Sequence, residues 1–141
     1  MGKGVKMNKE ILFRGKRVDN DEWAFGDLIV SKNKYYIHPQ GNSFQVDGVL
    51  SRLIVLHEVK SETVGQYTGL TDKNGKKIFE GDIVKVTTGI EGYKSTYHST
   101  IQEVKYNAKM CGIAVFLPFD NSDIVEVEVI GNIYDNKELL R

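Results

Sequence analysis

The sequence predicts an all-β (mainly β) protein, built as a small barrel or sandwich. Three observations carry that expectation. Val and Ile together number 27 against 3 Ala, and β-branched side chains suit a pleated surface, whereas Ala is the best helix former. The chain has 14 Gly and 2 Pro, so turns and bulges are well supplied while strands keep their ladder donors. The apolar residues come in short pieces at even spacing, separated by turn signals, which is the pattern of many short strands.

Taken in order, Ile11-Leu12-Phe13 precedes a polar Arg14-Gly15-Lys16-Arg17 stretch. Trp23-Ala24-Phe25 leads into Gly26-Asp27, read as a turn, and then Leu28-Ile29-Val30. Lys34 to His38 follows a Ser31-Lys32-Asn33 turn. Leu53 to Val59 is a nearly continuous apolar run whose length suits a buried strand. Asn74-Gly75 predicts a hairpin with a type I′ turn, because both central residues of that turn need positive φ. Ile83 to Thr87 is a strand broken by Gly89 to Gly92. Thr100 to Tyr106 and Ile113 to Leu117 are two more, separated by Asn107 to Gly112. Ile124 to Ile130 alternates, with Val125, Val127 and Val129 on one face and Glu126 and Glu128 on the other, so it is half-buried. Asn136 caps a final helical turn through Leu140. Gly15-Lys16-Arg17-Val18 with Gly26-Asp27 faintly echoes Gly75-Lys76-Lys77-Ile78 with Gly81-Asp82. The alternatives are an internal duplication and two independent turns into strands.

At 141 residues, with 19 Lys+Arg against 19 Asp+Glu, the chain suits one domain or two small ones and is not a uniformly basic nucleic-acid coat. A chain of this length buries roughly 68% of its unfolded surface and needs neither disulfide nor metal for a core. Cys111 is the only cysteine, so a reducing interior is the natural compartment. No apolar run reaches membrane-spanning length, and no secretory signal follows the basic start. Met1 to Lys6 reads as an upstream extension or tag remnant, with Met7 as the true start.

Little chemistry is indicated. Asp27 and Asp82 each follow Gly, where a carboxylate accepts backbone N–H bonds in a tight turn. His38, His57, His98 and Cys111 have no metal-ligand spacing, and no cofactor is expected. Cys111 sits in a loop-like Lys109-Met110-Cys111-Gly112 setting without a nucleophile elbow. Gly89 to Gly92 is no phosphate loop. The strongest chemical candidate is nucleic-acid or partner contact. Lys73, Lys76 and Lys77 cluster at the hairpin tip with Tyr67 and Phe79 near in sequence, and Tyr93, Tyr97 and Tyr106 offer stacking faces. Asp72, Glu80 and Asp82 flank those lysines and weaken phosphate attraction. Trp23 and Phe25 share a strand face by period two, as a core or interface anchor.

Three stretches together resemble the YopX family of bacteriophage and prophage proteins. They are ILFRGKRVDNDEWAFGDL (Ile11 to Leu28), ETVGQYTGLTDKNGKKIFEGDIVKV (Glu62 to Val86) and VEVIGNIYDNKELL (Val127 to Leu140). The resemblance implies a phage-borne accessory protein expressed in the host cytoplasm. It also implies an SH3-type β-barrel over about residues 64–141, after an N-terminal β region over 7–63. It carries no catalytic residues. Ser61 stands where proline is common in the family, and its hydroxyl is expected to open the same turn.

The leading expectation is a non-enzymatic interaction module that binds itself and an unknown host or phage protein. A nucleic-acid-binding barrel and a small enzyme are the alternatives, and no membrane is implied. Neutrality also hides an asymmetry. Residues 1–17 hold six Lys/Arg and one acid, whereas residues 118–138 hold one Lys and six acids. Those two ends are complementary within a chain or between subunits.

Overall fold

The computed structural model describes residues 10–40, 55–107, 112–114 and 124–141. The expected extension Met1 to Lys6, Met7, Cys111 and its neighbours Lys109 and Met110, and the ends of the Leu53 and Ile113 runs lie outside those residues. The described residues are strands, turns and short 3₁₀ turns, as the excess of Val and Ile over Ala requires. They divide into two units, Glu10–Tyr67 and a unit containing Thr68–Arg141.

The first unit is an antiparallel sheet of β1 (Phe13–Lys16), β2 (Trp23–Ser31), β3 (Lys34–Pro39) and β4 (His57–Val59), in the order β4-β3-β2-β1. Gly65 and Gln66, at the start of β5 (Gly65–Thr71), add to the other side of β1. Opposite residues share a face, so Leu28 and Ile37 point inward together, as do Tyr35 and Val59. Ala24, Ile37 and Val59 are buried there with Phe13, Leu28, Tyr35 and Val64 against them. The Leu53 run is a strand only at His57–Val59, and Leu56 is 39% exposed. The outer edge of β4 is covered by the chain leaving β1. Arg17 bridges Val59, the Val18 N–H donates to Glu58 O at 3.0 Å, and the Lys60 N–H donates to Lys16 O at 2.8 Å.

Two local expectations are corrected here. Gly26-Asp27 is not a turn: β2 runs through it unbroken. The Gly-Asp echo therefore marks different structures, a strand interior here and a bend at Gly81-Asp82. The Ser61 hydroxyl does not open the 3₁₀ turn Ser61–Thr63 either. Thr63 does the side-chain work, its Oγ1 donating to Lys60 O at 2.6 Å and accepting the Lys16 N–H at 2.8 Å. The type I′ turn occurs between β2 and β3 instead, where Lys32 and Asn33 have φ of +50° and +66°.

The second unit holds β6 (Lys77–Phe79) beside the end of β5, then a sheet of order β11-β7-β8. These are β7 (Asp82–Thr88), β8 (His98–Glu103) and β11 (Ile124–Asn132), with the pair β9 (Lys105–Asn107) and β10 (Gly112–Ala114) between β8 and β11 in the chain. Among the described residues both sheets are open. Ile78, Val84, Val86 and Val104 are buried, with Ile124, Val127 and Val129 packed on them. A register shift between Ile124 and Glu126 places Ile124 with this cluster, which the simple alternation assigned to Val125. A second register shift falls between Val129 and Gly131. The chain ends in a 3₁₀ turn, Lys137–Leu140. Asn136 does not cap it: its Oδ1 accepts the Asn132 N–H at 3.3 Å.

The Asn-Gly hairpin exists, but not as type I′. The Gly75 N–H donates to Asp72 O at 3.0 Å, and only Gly75 of the pair has positive φ, +79°. That is a three-residue connection with Gly in the left-handed position. Nothing lies within 4 Å of a Cβ at Gly75, so Gly75→Ala meets only backbone strain. Its expected cost is about 1 kcal/mol in denaturant unfolding.

A candidate interaction surface

The period-two pattern of β2 sends Ala24, Gly26 and Leu28 inward and Trp23, Phe25, Asp27 and Ile29 outward. The neighbouring strands complete this outer face. Lys16 lies opposite Trp23, Arg14 opposite Phe25, His38 opposite Asp27, and Tyr36 opposite Ile29. Phe25 is 46% and Ile29 39% exposed. Residues two apart on a strand are about 7 Å apart, so these side chains form one continuous display.

Charge on this face is arranged around the rings. The buried Arg14 guanidinium lies 4.5 Å from the Trp23 ring centroid, and Lys16 Nζ lies 5.7 Å from it. Cations over the indole face hold the ring in place. Between Phe25 and Ile29, Asp27 Oδ2 lies 3.8 Å from His38 Nδ1. Trp23 and Phe25 share this face, as period two suggested; the Trp23 ring is pinned by cations and Phe25 is exposed. At the rim, Arg17 donates to both carboxylate oxygens of Asp19, at 2.9 and 2.6 Å. That bond raises the Arg17 pKa and lowers that of Asp19. Both groups are solvated, so the pair contributes little to stability.

The lysine and tyrosine candidates occupy two different places. The hairpin bearing Lys73, Lys76 and Lys77 docks on β11, where the Lys73 N–H donates to Val127 O at 2.9 Å. Lys73 Nζ lies 3.6 Å from Glu126 and 3.8 Å from Glu128. These two acids belong to the acidic C-terminal segment, so part of its charge is met by Lys73. Tyr67 and Phe79 are buried and offer no stacking face. Tyr93 and Tyr97 lie at the far end of β7, in the connection to β8. Tyr93 is 67% and Ile90 61% exposed. Thr96 Oγ1 organises this loop, accepting the Ile90 N–H at 2.9 Å and donating to Tyr93 O at 2.7 Å. The Tyr97 ring lies against Gly89, and its hydroxyl accepts the Gly92 N–H at 3.3 Å.

The two Gly-Asp carboxylates also differ. Asp82 is 2% exposed and its Oδ2 accepts the Phe79 N–H at 2.8 Å, as a tight turn after Gly requires. Asp27 is on the outer face. Among the described residues no three His, Cys, Asp or Glu side chains group as metal ligands, and no helix is long and apolar enough to cross a membrane.

The YopX protein family matches residues 12–141. The chain belongs to the YopX family. In this YopX chain the signature residues between Glu62 and Val86 chiefly build turns. Gly75 and Gly81 have φ of +79° and +88°, and Asp72 and Asp82 bind backbone N–H groups. The crystal structure of protein EF1440 from Enterococcus faecalis is similar, with a TM-score of 0.50 and 28% identity. The similarity covers 94% of this chain and 99% of that one. No curated protein matches the chain.

Proposed function

We propose that this YopX chain is a non-enzymatic accessory protein of a bacteriophage or prophage. It works in the bacterial cytoplasm by binding other proteins, itself included. The observation that carries this reading is the outer face of the first unit, where Phe25 and Ile29 remain exposed beside a cation-pinned Trp23. Exposed apolar side chains set among aromatic rings and a few polar groups are the composition of protein interfaces. The family resemblance supports the phage setting and the SH3-type reading of the C-terminal part. The apolar cluster shared by β6, β7 and β11 is compatible with that barrel. Nucleic-acid binding draws no support from Lys73, which faces two carboxylates.

Capture from phage-infected cells tests this reading. The wild-type chain is expected to retain a specific protein that the double variant Phe25→Glu, Ile29→Glu loses, with circular dichroism unchanged. Recovery of no partner, together with a strictly monomeric mass by light scattering, overturns it.

A further inference from the structure

The outer edges of β4 and β11 are covered by the fold and, among the described residues, β8 is an edge that no strand or hairpin pairs. The outer edge of β4 is met by Arg17 and Val18. The outer edge of β11 is met by the Asp72 hairpin, through the Lys73 N–H on Val127 O and the Val129 N–H on Asp72 Oδ2. Among the described residues β8 pairs with β7 alone, in the order β11-β7-β8.

The ladder shows which backbone groups of β8 face outward. The Val104 N–H donates to Asp82 O at 2.9 Å, and Val104 O accepts the Gly81 N–H at 2.8 Å. Both polar groups of Val104 therefore point toward β7. Backbone direction alternates along a strand, and the β7–β8 register has no shift from Ile83↔Glu103 to Thr88↔His98. Gln102, Thr100 and His98 thus also point at β7, and Ser99, Ile101 and Glu103 present N–H and C=O outward. The close approach of Thr87 Oγ1 to Ser99 Oγ, 3.0 Å, fits a non-hydrogen-bonded pair at that position.

Native edges are usually blunted by Lys, Pro or a bulge. β8 reads His98-Ser99-Thr100-Ile101-Gln102-Glu103 and has none of these. At its centre Ile101 is 43% exposed.

We infer that β8 pairs antiparallel with β8 of a second copy, Ile101 opposite Ile101, joining two three-stranded sheets into one across a two-fold axis. The inference rests on the self-association part of the proposed function and gives it a surface. A two-fold axis normal to the sheet requires a residue to face itself, and among registers that match outward groups the one centred on Ile101 pairs all three outward residues of β8, where Thr100 or Gln102 on the axis pairs only two. With Ile101 on the axis, Ser99 faces Glu103 in each direction, and about six hydrogen bonds form. The two Ile101 side chains bury each other, and the paired edges close the assembly at two copies. The C-terminal 3₁₀ turn also approaches β8, and the second copy has to accommodate it. A single strand pair buries less than the roughly 1,200–2,000 Å² of a standard interface, so the dimer is concentration-dependent.

Amide hydrogen exchange by NMR on the full chain, run over a concentration series with light scattering, tests this. The mass is expected to rise from 15.9 kDa toward twice that value. Over the same range the amides of Ser99, Ile101 and Glu103 should gain at least tenfold protection. Those of His98, Thr100 and Gln102 should be protected throughout, which also reports that β8 is folded. Ile101→Lys should keep the even-residue protection and stay at the monomer mass. A dimer whose Ser99 and Ile101 amides still exchange freely overturns this edge while leaving self-association intact. A monomer at every concentration overturns the inference, and the partner capture then decides separately on the proposed function. A monomer that captures a host or phage protein only when Ile101 is native also overturns it, in favour of a partner's strand on the same edge.

Discussion

Gly26→Ala is expected to cost the first unit about 3 kcal/mol or more, the upper end of the overpacking range. A Cβ at Gly26 would lie 2.0 Å from the His38 carbonyl oxygen and 2.7 Å from its carbon. Both are backbone atoms of the paired strand, so no rotamer change relieves the clash. β2 and β3 would have to part at the Gly26↔Pro39 pair, and Leu28 and Ile37 would lose their fit beyond it. A stability of 5–15 kcal/mol is typical for a whole domain, so the loss is a large fraction. Trp23 is the only tryptophan and lies on β2, so its fluorescence in a urea titration reads this unit directly. Gly75→Ala, with open space around its Cβ, should leave that transition in place. A Gly26→Ala midpoint equal to wild type would show that the strands do not approach this closely.

The same glycine shows what a sequence can and cannot display. Gly followed by Asp between two apolar pieces has the local signature of a turn. What requires Gly at position 26 is a carbonyl 12 residues away, brought there by strand pairing. The strands themselves were legible, because period-two alternation and β-branched content are local properties. β3, β7 and β11 appear close to where the sequence placed them, whereas β2 joins two pieces that the sequence reading separated at Gly26-Asp27. Within β11, a one-residue bulge exchanged Val125 for Ile124 in the core, and no local pattern announces such a shift. The site was partly legible for the same reason. Trp23 and Phe25 share a face by period two alone. The partners of Lys73, however, are Glu126 and Glu128, more than fifty residues on, so a lysine-rich hairpin looked more available than it is. The place of β8 at the end of the order β11-β7-β8 could not be read at all, since strand order is set by tertiary pairing.

Asp72 is where the hairpin's fate is decided, and Asp72→Ala is expected to cost the second unit about 3 kcal/mol. Its Oδ1 accepts the N–H groups of Asn74 at 2.8 Å and Lys76 at 2.9 Å, and its Oδ2 accepts the Val129 N–H at 2.9 Å. One carboxylate thus shapes the turn and ties it to β11, 57 residues away in sequence. Hydrogen bonds to a charged acceptor contribute about 1.5–3 kcal/mol each, and a donor stranded inside costs a similar amount. Water can replace the carboxylate at the exposed Asn74 and Lys76 amides, so the Val129 donor dominates the loss. Asp72→Asn keeps one carbonyl oxygen and should lose about half as much. Burial by itself pushes the Asp72 carboxyl up, but the Val129, Lys76 and Asn74 N–H groups and the Lys76 charge outweigh it. The net effect holds it below its ordinary value of 3.8. A carboxyl lowered in the folded state stabilises the fold above the unfolded-state pKa and loses that contribution as pH falls through the folded value. The stability gap between wild type and Asp72→Asn should therefore be full at pH 7 and shrink below about pH 4. Urea titrations at pH 7, 4 and 3, followed by exchange of the Val129 amide, measure it. A gap independent of pH would mean that the carboxylate charge is not what binds the hairpin to β11.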